Sequence, residues 1–251
     1  MRKKLIAANS KMYKTPDQVR AFVAAFLPLV YGKTRVEIVL CPSFVCLPAV
    51  VEAVRGTHIG VGGQDMFWEK EGAYTGEVSG LMLKAVGCSH VIIGHSERRQ
   101  YFCETDETVN RKLKAALAAE LQPIVCVGEV LEEREAGLTQ QVLTRQCNIA
   151  FSEISGNEAA PLIVAYEPVW AIGTGKTATP EMAAEAHRLI RDQAAKAFGD
   201  ETAANLRILY GGSVKPENAK ALMAQIEIDG ALVGSASLDP KSFAAIIAGS
   251  E

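Results

Sequence analysis

Eight short apolar runs recur along the chain, at Leu5–Ala8, Val36–Cys41, His58–Gly62, His90–Ile93, Pro123–Val127, Leu162–Tyr166, Arg207–Tyr210 and Gly230–Val233. Each is too short for a stable helix and leans towards β-branched or small residues, which predicts buried strands. Between them lie Ala-, Glu- and Lys-rich segments with apolar positions at helical spacing, such as Ala183–Phe198 and Glu217–Gln225. Near-continuous apolar strands alternating with helices predict a parallel sheet covered on both faces. Helix starts carry their own signals. Thr15-Pro16-Asp17-Gln18 supplies an N-cap threonine, a proline for the first helical position and a capping-box glutamine. Thr179-Pro180-Glu181 repeats the cap and the proline.

Eight β-then-α units in 251 residues leave about 31 residues for each. No Pro/Ser/Gly-rich linker divides the chain, so the pattern predicts a single (β/α)8 barrel over residues 1–251. A doubly wound sheet is the competing arrangement and needs fewer strands. The composition, 49% hydrophobic and 22% charged, is that of a globular protein able to bury a core without disulfides. A net charge of −3 argues against a dedicated nucleic-acid surface, yet permits a local cluster of cations around an anionic metabolite. The six cysteines, Cys41, Cys46, Cys88, Cys103, Cys126 and Cys147, form no C-x-x-C pair. They read as small buried hydrophobes in a reducing compartment. The four-residue apolar run near the N-terminus is too short for a signal peptide, and no window is long enough to span a bilayer. The expectation is a cytoplasmic protein that binds neither membrane nor nucleic acid.

In a barrel the chemistry gathers where strands end. Those positions hold Asn9 and Lys11 after strand 1, His95, Ser96, Glu97 and Arg98 after strand 4, and Glu167 after strand 6. Gly211-Gly212-Ser213 follows strand 7, and Gly234-Ser235 follows strand 8. Glu167 is the sharpest signal: an apolar strand ends in a carboxylate, followed by Pro168, Trp170 and a loop with Gly173 and Gly175. A carboxylate so placed is either a catalytic base or a solvated strand-end charge. His95 precedes the first turn of a helix, whose positive end discourages a second proton and favours a neutral imidazole. His58 and His90 at strand starts and His187 inside a helix read as structural. The two Gly turns serve either as tight connections or as a cradle of backbone N–H groups for phosphate. GTGKT at 173–177 imitates a P-loop, but Trp170 occupies the position of that motif's first glycine. GTGKTA also imitates a dinucleotide fingerprint, but Pro168 and Trp170 separate it from its strand.

Together these segments resemble the triosephosphate isomerase family nearly end to end. The resemblance rests on Asn9-Ser10-Lys11-Met12, Gly94-His95-Ser96-Glu97-Arg98-Arg99, Ala165 through Lys176, Tyr210-Gly211-Gly212-Ser213-Val214 and Leu232-Val233-Gly234. It implies a TIM barrel that interconverts dihydroxyacetone phosphate and D-glyceraldehyde 3-phosphate, a step of glycolysis and gluconeogenesis, without cofactor or metal. By the same resemblance Glu167 is the base, His95 polarises the carbonyl, Lys11 supplies positive charge and Asn9 places the substrate. Glu97 either relays protons or orients Lys11 through a salt bridge. Asn9, Lys11, Gly173, Ser213, Gly234 and Ser235 would hold the phosphate-bearing substrate. Pro168, Val169, Trp170, Ala171, Ile172, Gly173, Thr174, Gly175 and Lys176 would form a closing lid. Members of this family are themselves the usual illustration of a carboxylate base paired with neutral imidazole beneath a mobile loop.

Three positions depart from the family pattern. Ser10 stands where a tryptophan is usual, Tyr13 where an asparagine is usual, and Ser235 where a second glycine is usual. The expected consequences are a looser Lys11 loop and weaker phosphate affinity rather than lost chemistry. The loop from Gln64 to Gly80 carries Phe67, Trp68 and Tyr74 among glycines and charges. An aromatic loop of this kind marks an interface or covers the protein's own core. The resemblance implies the former: a homodimer with Thr75 at the loop tip and Glu77 meeting Arg98 of a second copy. A barrel that binds a phosphorylated metabolite without turning it over, or another phosphate-handling barrel enzyme such as a lyase, is the rival reading.

Overall fold

A computed structural model describes residues 2–172 and 177–251. Eight parallel strands close on themselves in sequence order: β1 (Leu5–Asn9), β2 (Glu37–Cys41), β3 (Gly60–Gly63), β4 (His90–Ile93), β5 (Gln122–Val127), β6 (Ile163–Tyr166), β7 (Arg207–Tyr210) and β8 (Gly230–Val233). Closure comes from β1 pairing with β8, Leu5 against Gly230 through Ala8 against Val233. This is the (β/α)8 barrel, and the doubly wound alternative is excluded by that pairing.

Helices follow the strands around the outside. They are α1 (Pro16–Phe26), α2 (Leu47–Ala53), α3 (Gly80–Val86), α4 (Ser96–Tyr101), α5 (Asp106–Ala118), α6 (Leu131–Glu135), α7 (Thr139–Ala150), α8 (Pro180–Phe198), α9 (Asp200–Asn205), α10 (Pro216–Met223) and α11 (Pro240–Gly249). The starts of α1 and α8 form as their caps predict. The Thr15 hydroxyl accepts from the Gln18 N–H, the Gln18 side chain accepts from the Thr15 N–H, and Thr179 caps α8. None of the described helices is long and apolar enough to cross a membrane.

Alternate residues of each strand divide two cores. Leu5, Ala7, Val39, Cys41, Ile92, Ile124, Cys126, Ile163, Ala165, Leu209 and Leu232 pack inside the barrel. The intervening residues, such as Ile6, Ile38, Val91, Val125 and Val164, pack outwards against the helices. Strands buried on both faces explain why the sequence pattern is a continuous apolar run rather than an alternation. The strand edges differ by a residue or two from the sequence reading. His58 lies outside β3, exposed and bonded through Nε2 to the Lys33 carbonyl. β1 runs one residue further than predicted and carries Asn9 to the barrel mouth.

Candidate active site

The end of β6 fixes Glu167. Its N–H donates to the Val127 carbonyl at 2.8 Å, which continues the β5–β6 ladder one step beyond the strand. Gly128 makes this possible, because a Cβ there would collide with the Glu167 carbonyl. Gly211 performs a related service from β7, where a Cβ would stand 2.9 Å from Glu167 Cγ. Its bare Cα makes room for the Glu167 side chain.

The Glu167 side chain is almost fully buried and fully bonded. Oε2 accepts from the Ser96 N–H at 2.9 Å, Oε1 accepts from the Ser96 hydroxyl at 3.2 Å, and Oε1 lies 3.0 Å from His95 Nε2. Burial alone would raise its pKa, but the His95 imidazole, the Ser96 amide and the Cys126 thiol outweigh burial and hold it below the ordinary value. His95 is the N-cap of α4, and its Nδ1 accepts from the Glu97 N–H at 3.2 Å. That bond leaves the ring proton on Nε2, facing Glu167. The dipole argument predicts a downward pKa shift for His95. Burial does push it down, but the neighbouring carboxylates of Glu167 and Glu97 reverse this and the net direction is up.

Lys11 reaches the same place from β1. Its backbone is left-handed, with φ of 49°, and its N–H donates to Asn9 Oδ1 at 2.9 Å. The Gln64 amide donates to both the Lys11 and Cys41 carbonyls, which ties this turn to β2 and β3. The Ser10 N–H also donates to the Cys41 carbonyl at 3.1 Å. The turn is therefore held by bonds to its backbone, from Asn9, Gln64 and Cys41, even with a small residue at position 10. Lys11 Nζ lies 2.6 Å from Glu97 Oε1, the salt-bridge arrangement of the two weighed for Glu97.

Asn9, Lys11, His95, Glu167, Ser213, Gly234 and Ser235 all line one cavity of about 190 Å³ at the C-terminal mouth of the barrel. Ser235 opens a short 3-10 turn, Ser235–Leu238, and is not among the non-glycine residues with left-handed φ. Its N–H is thus available without a glycine-only conformation. Of the expected lid, Pro168 to Ile172 are described; Gly173, Thr174, Gly175 and Lys176 lie outside the described residues. Val169–Ala171 form a 3-10 turn and Ile172 lines the cavity.

Sequence reasoning missed Glu129. It is wholly buried, accepts from the Tyr166 hydroxyl and from Trp170 Nε1 at 3.0 Å each, and its carbonyl accepts from the Val169 N–H. The signal was present, since Gly128-Glu129 ends β5 as Glu167 ends β6. Gln64 and Cys126 were missed as well, and Ser96, though placed at the strand end, was given no role, because each acts on a neighbouring residue rather than on the cavity. In the aromatic loop, Thr75 and Glu77 are exposed, but Phe67 and Trp68 are half-buried, their rings tilted at 33° with centroids 4.1 Å apart, and Arg111 lies over the indole. Arg98 is paired within the chain to Asp65 and Glu104, each at 2.9 Å.

A closed parallel barrel with a buried carboxylate–imidazole pair at its C-terminal mouth defines the class as a (β/α)8-barrel enzyme. The chain belongs to the triosephosphate isomerase family, whose model matches residues 4–250. It is 60% identical over 247 residues to a triosephosphate isomerase of Solibacter usitatus, covering 98% of this chain and 99% of the relative. It is 57% identical over 251 residues to one from Citrifermentans bemidjiense, covering both chains fully. A third, from Moorella thermoacetica, is 58% identical over 247 residues, covering 98% of each chain.

Proposed function

We propose that the chain is one catalytic domain that interconverts dihydroxyacetone phosphate and D-glyceraldehyde 3-phosphate through an enediolate. The observation that carries this reading is the meeting of Glu167, His95 and Lys11 in one small cavity, with Glu167 Oε1 3.0 Å from His95 Nε2. A carboxylate there takes the proton from C1 of the ketone and returns it to C2, while His95 hands a proton to the C2 oxygen and recovers one from the C1 hydroxyl, so that the carbonyl moves from C2 to C1. His95 Nε2–H donates to the carbonyl oxygen as that oxygen gains charge, and a lost oxyanion donor costs about 3 kcal/mol of barrier. Lys11 places a positive charge beside the same oxygen, and Asn9 sets the turn that carries it.

Glu167 can abstract a carbon-bound proton only after leaving the Ser96 donors that saturate it. Burial raises its pKa while His95 and, to a smaller extent, the Ser96 amide lower it, so releasing that amide strengthens the base. Ser213, Gly234 and Ser235 supply the phosphate end of the cavity, with Gly173 as the lid's contribution. Lid closure, carried over from the family, would exclude water at that moment. Trp170, held by the buried Glu129, is the fixed end of that segment. Two copies form the working unit, with the loop bearing Thr75 and Glu77 laid against the region of Arg98. The setting is the cytoplasm.

A coupled assay with glyceraldehyde 3-phosphate tests the reading. Wild type turns over, and Glu167→Gln, which keeps the shape but not the base, loses the rate while still binding a phosphate analogue. Full activity in that variant removes Glu167 as the base. Binding without turnover in wild type restores the non-catalytic alternative.

A further inference from the structure

The cavity presents an electrostatic problem to an anionic substrate. The chain carries a net charge of −3, and Glu167 adds a negative charge within the cavity lining. Lys11 is already matched to Glu97 at 2.6 Å. Lys215 also lines this cavity, is exposed, and has no ion pair among the described residues. It is therefore the unbalanced cation among the described lining residues.

Its position is fixed and locally unfavourable. The Lys215 N–H donates to Asn218 Oδ1 at 2.8 Å, and Asn218 Nδ2 donates to the Ser213 carbonyl at 3.0 Å. One side chain thus braces the turn from Ser213 to Lys215. Lys215 is also the N-cap residue of α10, and it makes no side-chain cap bond. A cation at a helix N-terminus opposes the helix dipole, and lysine is not a preferred cap. A position that works against its own helix is one where another role is being served.

We infer that Lys215 is a steering and positioning residue, which draws the phosphate-bearing substrate to the barrel mouth and turns its anionic end towards Ser213. The inference rests on the isomerase reading and adds to it how a negatively charged protein recruits a dianion. Long-range attraction acts on encounter and not on proton transfer, so its mark is a salt-dependent kcat/KM.

The test measures initial rates with glyceraldehyde 3-phosphate from about 0.01 M to about 0.15 M ionic strength, where the screening length falls from about 30 Å to about 8 Å. Lys215→Gln should lower kcat/KM about 3- to 10-fold at the low-salt end, leave kcat unchanged, and converge on wild type as salt rises. Lys215→Arg should retain wild-type behaviour. The thermal midpoint of Lys215→Gln should match or exceed that of wild type, because the dipole clash is gone. An active wild type with the same salt slope as Lys215→Gln overturns the steering role alone. Equal losses of kcat and stability in both variants overturn it too, since they describe a structural lysine. A wild type without turnover removes the isomerase reading and this inference with it.

Discussion

Glu167, His95, Lys11 and Asn9 are legible in the sequence because each stands at the end of an apolar run, where a barrel exposes side chains to its mouth. Their supports are not legible in this way. Gln64, Ser96 and Cys126 matter through bonds to Lys11 or Glu167, and those bonds exist only once strands far apart in sequence lie side by side. Glu167 gives the first residue-scale prediction. Glu167→Asp withdraws the carboxylate by one methylene, and a displacement near 1 Å costs about 100-fold in rate. Steady-state kinetics should show that loss in kcat with KM little changed; a variant that loses only affinity contradicts the assigned role. Gly128→Ala tests the scaffold beneath Glu167. Its new Cβ meets the Glu167 carbonyl, so urea unfolding should show a loss of about 3 kcal/mol, with activity falling alongside. A neutral substitution would mean that the β5–β6 ends are more compliant than their contact implies.

At the scale of elements, the capping box of α1 and the N-cap and proline of α8 could be read from three or four letters, because a cap is a local device. Strand edges were less exact, since β3 consists of Gly60-Val61-Gly62-Gly63 and has little apolar signal of its own. His187 reads from the sequence as structural, and the structure adds how completely it is buried. It lies inside α8, wholly buried, with Nδ1 bonded to the Glu227 carbonyl, and burial pushes its pKa down to about 3. An unfolded histidine titrates near 6.5, so the unfolded chain binds this proton more readily than the folded one. Stability from this group is complete above about pH 6.5 and falls by up to about 1.4 kcal/mol per pH unit as pH drops towards 3. Glu37 acts in a lower window. Its bond to His90 and the nearby Arg207 depress its pKa to about 2, so its contribution is present above about pH 4.5 and is lost on the way down to 2. Urea midpoints between pH 7 and pH 5 lie above the Glu37 window and report His187 together with His95, whose raised pKa acts in the opposite sense. His187→Asn, which keeps an amide donor without a titrating site, should flatten the slope there; an unchanged slope would place the acid sensitivity elsewhere.

For the whole molecule, the closed parallel barrel followed from the count of eight β-then-α units, but the register that closes it, Leu5 against Gly230, did not, because β1 and β8 are separated by most of the chain. The proposed second subunit is a matter of the same scale. Met12, Tyr13, Tyr74, Leu81, Met82, Tyr101 and Phe102 are large apolar residues left exposed, on the β1 turn, the aromatic loop, α3 and α4. Large exposed apolar side chains on neighbouring elements suit a partner of the same chemistry. Light scattering should return twice the chain mass at micromolar concentration, and Tyr74→Asp should shift the protein towards monomer. An active wild-type monomer would refute the dimer. The central claim is that a carboxylate moves a proton between two carbons within this barrel. A proton held on Glu167 exchanges with solvent, so the decisive measurement is NMR of the product formed from dihydroxyacetone phosphate in heavy water. Glyceraldehyde 3-phosphate should carry deuterium at C2 with wild type, and none should form with Glu167→Gln; product made at the wild-type rate by that variant, or made with no label at all, would contradict the account.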